Sequence, residues 1–482
     1  MKPILLVHGY SSEGNDTGAQ AIYGSLPNDL RAEFGESVVI ELNLSRWISL
    51  SEGISIDDVS LAMDRALKAT HPNLLADGFH VVIHSTGALV VRNWIKNHSP
   101  KPSPIENLVH LAGAHFGSGL AHVGKGQLAR WARQLIFHTG SGGQVLNELL
   151  FGSWKSLDLA QYFLNPGTEM FDDYQVREYC IIGSQIPKAL RNIPIRYIKE
   201  DSSDNTVRTS AGNLNFSHVR VFPSPDATSL RVDDLEVLAE KRRDGAVISD
   251  SSYEFDLSRI STARRATPFA IAYETAHFGE DLGIVSGKKN RAVIMPLLKL
   301  ALGTDHDPDA YDAVTENFKA ATAKTFTRAG RLKYRLLEWN TQKQYEGHAQ
   351  LVFRIRDQFG RGVEHFDITF RSKSKRGKVE LESLIEDRRM NKNHPGTLTF
   401  YLRTQEFKKG SKRWKDLVSD LCAVDVEISA DEPNAKEIQY IPLNLRLTCD
   451  QVASALKSFE TTVIDIELVR LPSHEVFAIS EG

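Results

Sequence analysis

From the N-terminus to about residue 300, short apolar runs take turns with stretches whose apolar residues recur at helical spacing. That alternation leaves a chain few folds. Strands separated by amphipathic helices share one sheet only if each helix crosses back over it, which makes the strands parallel. The runs are PILLVHG, SVVIELNL, FHVVIHS, ENLVHLAG and REYCIIGS, with a further strand expected at PIRYIKE and a smaller β region at HVRVFPS. Helical patterns fall between them, notably IDDVSLAMDRALKATH and GALVVRNWIKNHS. Residues 118–165 break the rhythm with a long, mostly helical stretch rich in Trp, Phe and Leu. A cap inserted over the sheet has this composition, and so do additional core helices.

A polar linker, TDHDPDAYD, and a helix, DAVTENFKAATAKTFTRA, follow. From about Arg331 the period changes to two, in LKYRLLEW, HAQLVFRIRD, HFDITFRS, GTLTFYLRT, AVDVEISA and VIDIELVRL. Alternating strands joined by turns such as DQFGRG indicate an antiparallel β-sandwich. The expected organisation is an α/β domain over 1–303, a linker and helix over 304–330, and the sandwich over 331–482. A chain of 482 residues is long enough for two or three such domains. With a formal net charge of −3 there is no global basic field, so nucleic acid is not an expected partner. No run approaches the ~20 apolar residues of a membrane span. The opening MKPILLVHGY has too short an apolar run for a secretory leader, so synthesis in the cytoplasm is expected, with any export by a leaderless route. Three cysteines, Cys180, Cys422 and Cys449, are few, odd in number and far apart, which argues against a disulfide framework.

The chemistry centres on FHVVIHSTGALVVRNWI, a buried strand, a tight turn and a helix. A serine hydroxyl is a poor nucleophile. A sharp strand–helix turn helps by exposing it beside helix amides that can stabilise an oxyanion. Ser85 sits in such a turn with His84 before it and Thr86 and Gly87 after it. Where the usual pattern has glycine two residues before the serine, this chain has Ile83, whose side chain is expected to point into the packing of the sheet. An early strand ends in Val7-His8-Gly9-Tyr10, which makes the amides of Tyr10 and Thr86 the candidate oxyanion donors. In this architecture the acid and then the base follow the serine along the chain. Asp204 lies in a polar turn, with Glu200 and Asp201 as alternative acids. His277 lies in a later polar loop, whereas His8, His84, His110, His115 and His122 all precede the expected acid. The order selects Ser85, Asp204 and His277 as a candidate triad.

The stretches PILLVHGY, VIHSTGALVVRNWI, LVHLAGAHFGSGLAH, SDNTVRTSAG and AHFGEDLGIV resemble the α/β-hydrolase superfamily, in its lipase branch. That branch includes bacterial lipases, lecithin–cholesterol acyltransferase-like enzymes and the GPI-inositol deacylase group. The resemblance covers about residues 1–302. It implies ester hydrolysis through an acyl-serine, with no cofactor and no metal. Ser85 attacks, His277 shuttles the proton, Asp204 fixes the histidine, and Thr86 and Tyr10 hold the oxyanion. The segment after HFGS would form an acyl-binding cap. Some leaderless members with extra domains are phospholipases delivered by type VI secretion, so the resemblance also implies a secreted effector.

Other signals are weaker. GIVSGKK is one residue short of a phosphate-binding loop, and TSAG around Ser210 mimics part of an elbow. Asp305, Asp307, Asp309 and Glu316 have calcium-loop spacing but no central glycine. Two basic stretches, RSKSKRGK with Lys373, Lys375 and Arg376, and KKGSKRWK with Lys408, Lys409, Arg413 and Trp414, suit solvated loops. They also suit peripheral contact with an anionic membrane, Trp414 at the interface. Three functional readings follow: an esterase acting on lipid, an esterase or thioesterase acting on a soluble acyl substrate, and a non-catalytic scaffold that binds a protein partner through the sandwich.

Overall fold

In the computed structural model five of the apolar runs of the first half become parallel strands, and a sixth strand joins them in one sheet. They are β1 (Ile4–His8), β2 (Val39–Asn43), β3 (Phe79–His84), β4 (Ile105–Leu111), β5 (Arg177–Gly183) and β8 (Phe269–Ala272), in the order β2-β1-β3-β4-β5-β8. The structure describes residues 1–8, 20–49, 51–119, 143–187, 200–223, 253–255, 262–332, 342–374, 380–435 and 437–472. Strands covered on both faces read as continuous apolar runs rather than as alternations, and every residue of β1 and β5 is buried. One edge strand is β8, from the sequence FAIA, paired with β5. The strand expected at 194–200 lies outside the described residues except for Glu200.

The helix Ile56–Thr70 begins at a capping box, where Ser55 and Asp58 exchange side-chain and backbone hydrogen bonds. Its buried face, including Ile56, Val59, Met63 and Leu67, follows helical spacing. It packs on the helix Gly87–Asn97, where Asn93 Nδ2 donates to Ser60 Oγ at 2.6 Å and Trp94 Nε1 donates to Asp64 Oδ1 at 3.3 Å. Of the expected cap, residues 120–142 lie outside the described residues. The helix Trp154–Tyr162 buries Leu157, Leu159 and Ala160, and the Arg92 guanidinium lies 4.7 Å over the neighbouring Phe163 ring, so this part is a core helix.

The expected linker is helical sooner than its polarity suggests. Asp307 accepts from the Ala310 N–H at 2.8 Å, and Pro308 opens a helix that runs to Ala329. Proline at the first helical position needs no N–H and brings a helical φ, and aspartate is a strong N-cap. This gives Asp307 a structural role in the spacing that resembled a calcium loop.

Contacts divide the chain into two units whose boundaries differ from the sequence expectation. One unit comprises Met1–Asn215, Ala263–Gly347 and Phe407–Trp414; the other comprises Phe216–Thr262, His348–Glu406 and Lys415–Gly482. The physical reason is strand pairing. Strand β6 (Phe216–Pro223) pairs in parallel with β18 (Thr461–Leu468), and β7 (Tyr253–Phe255) pairs with β6. The second unit therefore contains a mixed sheet, β11-β12-β9-β18-β6-β7, where β9 is His348–Asp357, β11 is Ile385–Asn391 and β12 is His394–Arg403. Its other sheet holds β10 (His365–Ser374), β15 (Leu421–Asp431), β16 (Ile438–Tyr440), β17 (Leu443–Leu447) and β19 (Arg470–Pro472). Both contribute to one apolar core that includes Phe353, Phe370, Phe400, Val426 and Ile428. In the mixed sheet, Arg354 on β9 donates from two nitrogens to Asp465 on β18, at 2.7 and 2.6 Å, and His218 on β6 completes the group at 2.9 Å. Burial pushes the Asp465 carboxyl up, but His218 and Arg354 outweigh it and hold the group well below the carboxylate range.

In the first unit a charged cluster lies inside the α/β core. Arg92 Nη1 stands 3.5 Å from Glu178 Oε1, which also meets His110 Nε2 at 3.0 Å, and both charged side chains are almost fully buried. Removing one partner of a buried pair strands the other charge and costs about 3–5 kcal/mol. Arg92→Leu should therefore lower unfolding stability by about 3–5 kcal/mol, read as a fall in the urea midpoint at unchanged slope.

Candidate active site

Strand β3 delivers Ser85 to the carboxyl end of the sheet with φ of 55°. An L-residue in the left-handed region costs of order 1–2 kcal/mol and persists only where its surroundings fix it. Here they do. The Ser85 N–H donates to the Leu111 carbonyl at the end of β4 at 3.1 Å, and the Ser85 carbonyl accepts from Ala88 N at 3.1 Å and Ala114 N at 3.4 Å. The left-handed turn lifts the hydroxyl off the strand and starts the helix Gly87–Asn97 immediately.

The acid turn is fixed in the same manner. Asp204 is fully buried, and its Oδ1 accepts from the N–H groups of Thr206 at 3.0 Å and Val207 at 2.8 Å. Its Oδ2 lies 2.8 Å from His277 Nδ1, and its carbonyl accepts from the His277 N–H at 3.0 Å. His277 Nε2 stands 3.0 Å from Ser85 Oγ. A carboxylate only accepts, so the Nδ1 proton belongs to the bond with Asp204, which leaves the Nε2 lone pair facing the serine hydroxyl. The three residues that chain order selected thus form one hydrogen-bonded series through His277, although 192 positions separate Ser85 from His277.

The alternatives are occupied elsewhere. Glu200 pairs with buried Arg208 at 2.5 Å, and Asp201 accepts from Gln344 Nε2 at 2.9 Å. His110 faces Glu178, and His115 Nε2 lies 3.7 Å from Cys180 Sγ. His8 lines the pocket beside Ser85, and His122 lies outside the described residues. His84 lies beside His277 with ring centroids 4.6 Å apart and the ring planes tilted by 40°. Burial, and then the neighbouring His277, push the His84 imidazole well below its ordinary range. It therefore stays neutral and places no second positive charge next to a protonated His277.

Thr86 stands at the N-terminus of the helix Gly87–Asn97, where its amide is the first past the serine. Gly9 and Tyr10, the other candidate oxyanion element, lie outside the described residues. So do Lys375, Arg376 and the side chain of Lys373. Trp414 corrects an expectation. It is half-buried, its ring meets Phe407 and Phe326 at 5.0 and 5.4 Å, and its Nε1 donates to the Phe326 carbonyl at 3.4 Å. A ring packed on protein on two sides is an anchor for its own hairpin, β13 (Gln405–Lys408) and β14 (Arg413–Asp416), rather than a membrane-interface side chain. Lys408, Lys409, Lys412 and Arg413 remain exposed around that hairpin's turn.

Ile83 also differs from expectation. Its side chain turns to the helix side and lies over Gly87, and a Cβ at Gly87 would fall 2.3 Å from the Ile83 Cδ1 and Cγ1 atoms. The bulk absent from one position is present at the other, so the pair fills the crowded interior of the elbow together. Ile83 then forms part of a pocket of about 90 Å³ that opens at Ser85 and is walled by Val7, Ile22, Leu44, Val59, Val90 and Val145. That space suits a short apolar segment rather than a single water. Two supporting residues were not singled out from the sequence. The Tyr23 hydroxyl donates to the Val7 carbonyl at 2.8 Å in the pocket wall. A Cβ at Gly183 would fall 2.0 Å from the Thr275 carbonyl, so only glycine lets the loop carrying His277 pass the end of β5. The signal for Gly183 was a glycine closing an apolar strand; Tyr23 gave none.

Comparisons with known proteins agree with this architecture. Residues 3–177 match the family described as palmitoyl protein thioesterase. Two solved structures of phospholipase PlaB from Legionella pneumophila, one in complex with thio-NAD, superpose with a TM-score of 0.76 at 21% identity, covering 100% of this chain and 97% of that one. A lipase from Bacillus licheniformis, BlEst2 in mature form, aligns at a TM-score of 0.32 and 15% identity, over 44% of this chain and 79% of that one. No curated protein sequence matches. The chain has the α/β-hydrolase fold and is similar to proteins named as a phospholipase and as palmitoyl protein thioesterases.

The Ile83–Gly87 fit makes a double-mutant cycle informative. Gly87→Ala alone should displace Ile83 and the elbow helix and destabilise the protein by about 1–3 kcal/mol. Adding Ile83→Ala should recover part of that loss, because it removes the colliding atoms. Equal melting temperatures for the single and double variants would count against the packing described.

Proposed function

We propose that this chain is a serine esterase that hydrolyses the acyl esters of lipids. The observation that carries the reading is the hydrogen-bonded series Ser85 Oγ, His277 Nε2, His277 Nδ1, Asp204 Oδ2 beside an apolar pocket. In this reading His277 takes the hydroxyl proton as Ser85 attacks the ester carbonyl, and the Thr86 amide receives the developing oxyanion. His277 then returns the proton to the leaving alcohol, and water releases the acyl group from Ser85 by the same steps reversed. Asp204 holds the imidazole in place and stabilises the imidazolium that forms in each half-reaction. The pocket walls favour the acyl chain, and the polar leaving group faces outward. The structural likeness to a phospholipase favours lipid esters as substrates. The match to palmitoyl protein thioesterase favours a second reading, in which the same acyl-serine forms from an acyl thioester. The two differ only in the leaving group.

A fluorophosphonate probe should label the wild-type chain at Ser85 and leave Ser85→Ala unlabelled. Ester hydrolysis should fall by about 10⁴-fold or more in Ser85→Ala and on the order of 10³–10⁴-fold in Asp204→Asn. Labelling of the alanine variant at the wild-type rate would remove Ser85 from the mechanism. Comparing release of fatty acid from phospholipid and from a palmitoyl thioester separates the two readings.

Peripheral contact with anionic lipid belongs to the same proposal. Its support is the exposed hairpin turn with Lys408, Lys409, Lys412 and Arg413. Each basic residue near an anionic surface contributes about 1 kcal/mol. Flotation should recover the protein with phosphatidylserine-containing vesicles and not with neutral ones, and Lys412→Glu with Arg413→Glu should weaken recovery. Equal recovery with neutral vesicles would remove the electrostatic contact.

A further inference from the structure

Of the three cysteines, Cys180 is buried in β5, where burial pushes its thiol up and out of reach of oxidants. The other two lie in the second unit, at places the β register relates. Val424 on β15 stands opposite Leu447 on β17. Cys422 lies two residues before Val424 and Cys449 two residues after Leu447, so continuing the antiparallel register past the last pair of the ladder would bring the two opposite each other. Thr448 keeps the chain extended, with φ of −70° and ψ of 171°, until Cys449 opens the helix Cys449–Ala455. Residues directly opposite in an antiparallel pair have Cβ atoms about 4.5–5.5 Å apart, near the span that a disulfide bridges. Cys422 lies where the pairing of β15 with β10 shifts register, and such an irregularity re-aims a side chain. The two sulfurs are in contact at 2.6 Å, and both residues are half-buried rather than sealed in the core.

We infer that Cys422 and Cys449 form an intramolecular disulfide that ties the start of β15 to the start of the helix Cys449–Ala455. The reaction needs an oxidant, and a small-molecule disulfide supplies it. One thiolate attacks the oxidant and expels a thiol, giving a mixed disulfide. The second thiolate then displaces the remaining half. The two cysteines lose two protons and two electrons, and the oxidant is reduced to two thiols. Three cysteines permit three pairings, but the burial of Cys180 leaves one. An odd number of cysteines therefore resolves into one bridge and one inert core thiol, and the oxidised protein carries no accessible thiol.

The test uses the full chain incubated natively with oxidised glutathione, then unfolded and reacted with a maleimide. The expected result is a single maleimide, at Cys180, and a peptide map with Cys422 linked to Cys449. The oxidised chain should also melt roughly 5–10 °C above the reduced chain, a difference that Cys422→Ser abolishes. Three maleimides on the oxidant-treated protein, glutathione retained on either cysteine with no cross-link, or a bridge that includes Cys180 would each overturn the inference.

Discussion

The left-handed backbone at Ser85 is the constraint on which the site depends. It is unfavourable for any residue with a side chain, so it exists only because neighbouring backbone groups fix it. The Leu111 carbonyl holds the Ser85 N–H, while Ala88 and Ala114 hold its carbonyl. Two of those three residues come from β4 and the loop that follows it, so the register between β3 and β4 decides whether the Ser85 hydroxyl is presented at all. The same loop continues to the acid turn, where Phe116 N donates to Ala211 O at 3.1 Å and Ser118 Oγ donates to Thr206 O at 2.7 Å. Serine and acid are therefore positioned by one continuous backbone network.

Electrostatics in the first unit follow from burial. His80, His84, His110 and His115 all have imidazoles pushed down by desolvation, His80 to about 4. Of these, His84 lies beside His277 at the carboxyl end of the sheet, whereas His80 lies near the start of β3 at the other end. One charged group does sit inside, Glu178, and it comes with its compensation. Burial raises its carboxyl, and Arg92 and His110 lower it by more. Because Arg92 projects from the elbow helix and Glu178 from β5, this pair also fixes that helix against the sheet.

Much of this was legible in the residues. Parallel α/β order showed in apolar runs that need two covered faces, and β1 to β5 fall where those runs are. The three residues that meet at the candidate site could be picked out because this architecture takes serine, acid and base in a fixed chain order. What was missed has common physical causes. Strand β8 is only FAIA, too short for periodicity to register. The helix opening at Pro308 was hidden because a good N-cap and N1 proline look like a polar linker. The reach of β6 into the second unit was invisible because its partner, β18, lies more than 200 positions away. Trp414 was read as an interface residue because a tryptophan among lysines gives no sign of Phe326 and Phe407 packing against it.

By itself the sequence determined the elements and the chemical inventory: which runs must be buried on both faces, where a serine could be exposed in a turn, and which acid and histidine follow it. Tertiary structure alone decided the pairings. It turned Ile83 onto Gly87, so that a position lacking the usual glycine still accommodates the elbow, and it brought Cys422 against Cys449. The physical reason is the same for both. Periodicity and turn chemistry act over a few residues, whereas side-chain fit and strand register depend on partners that only the folded chain brings into contact.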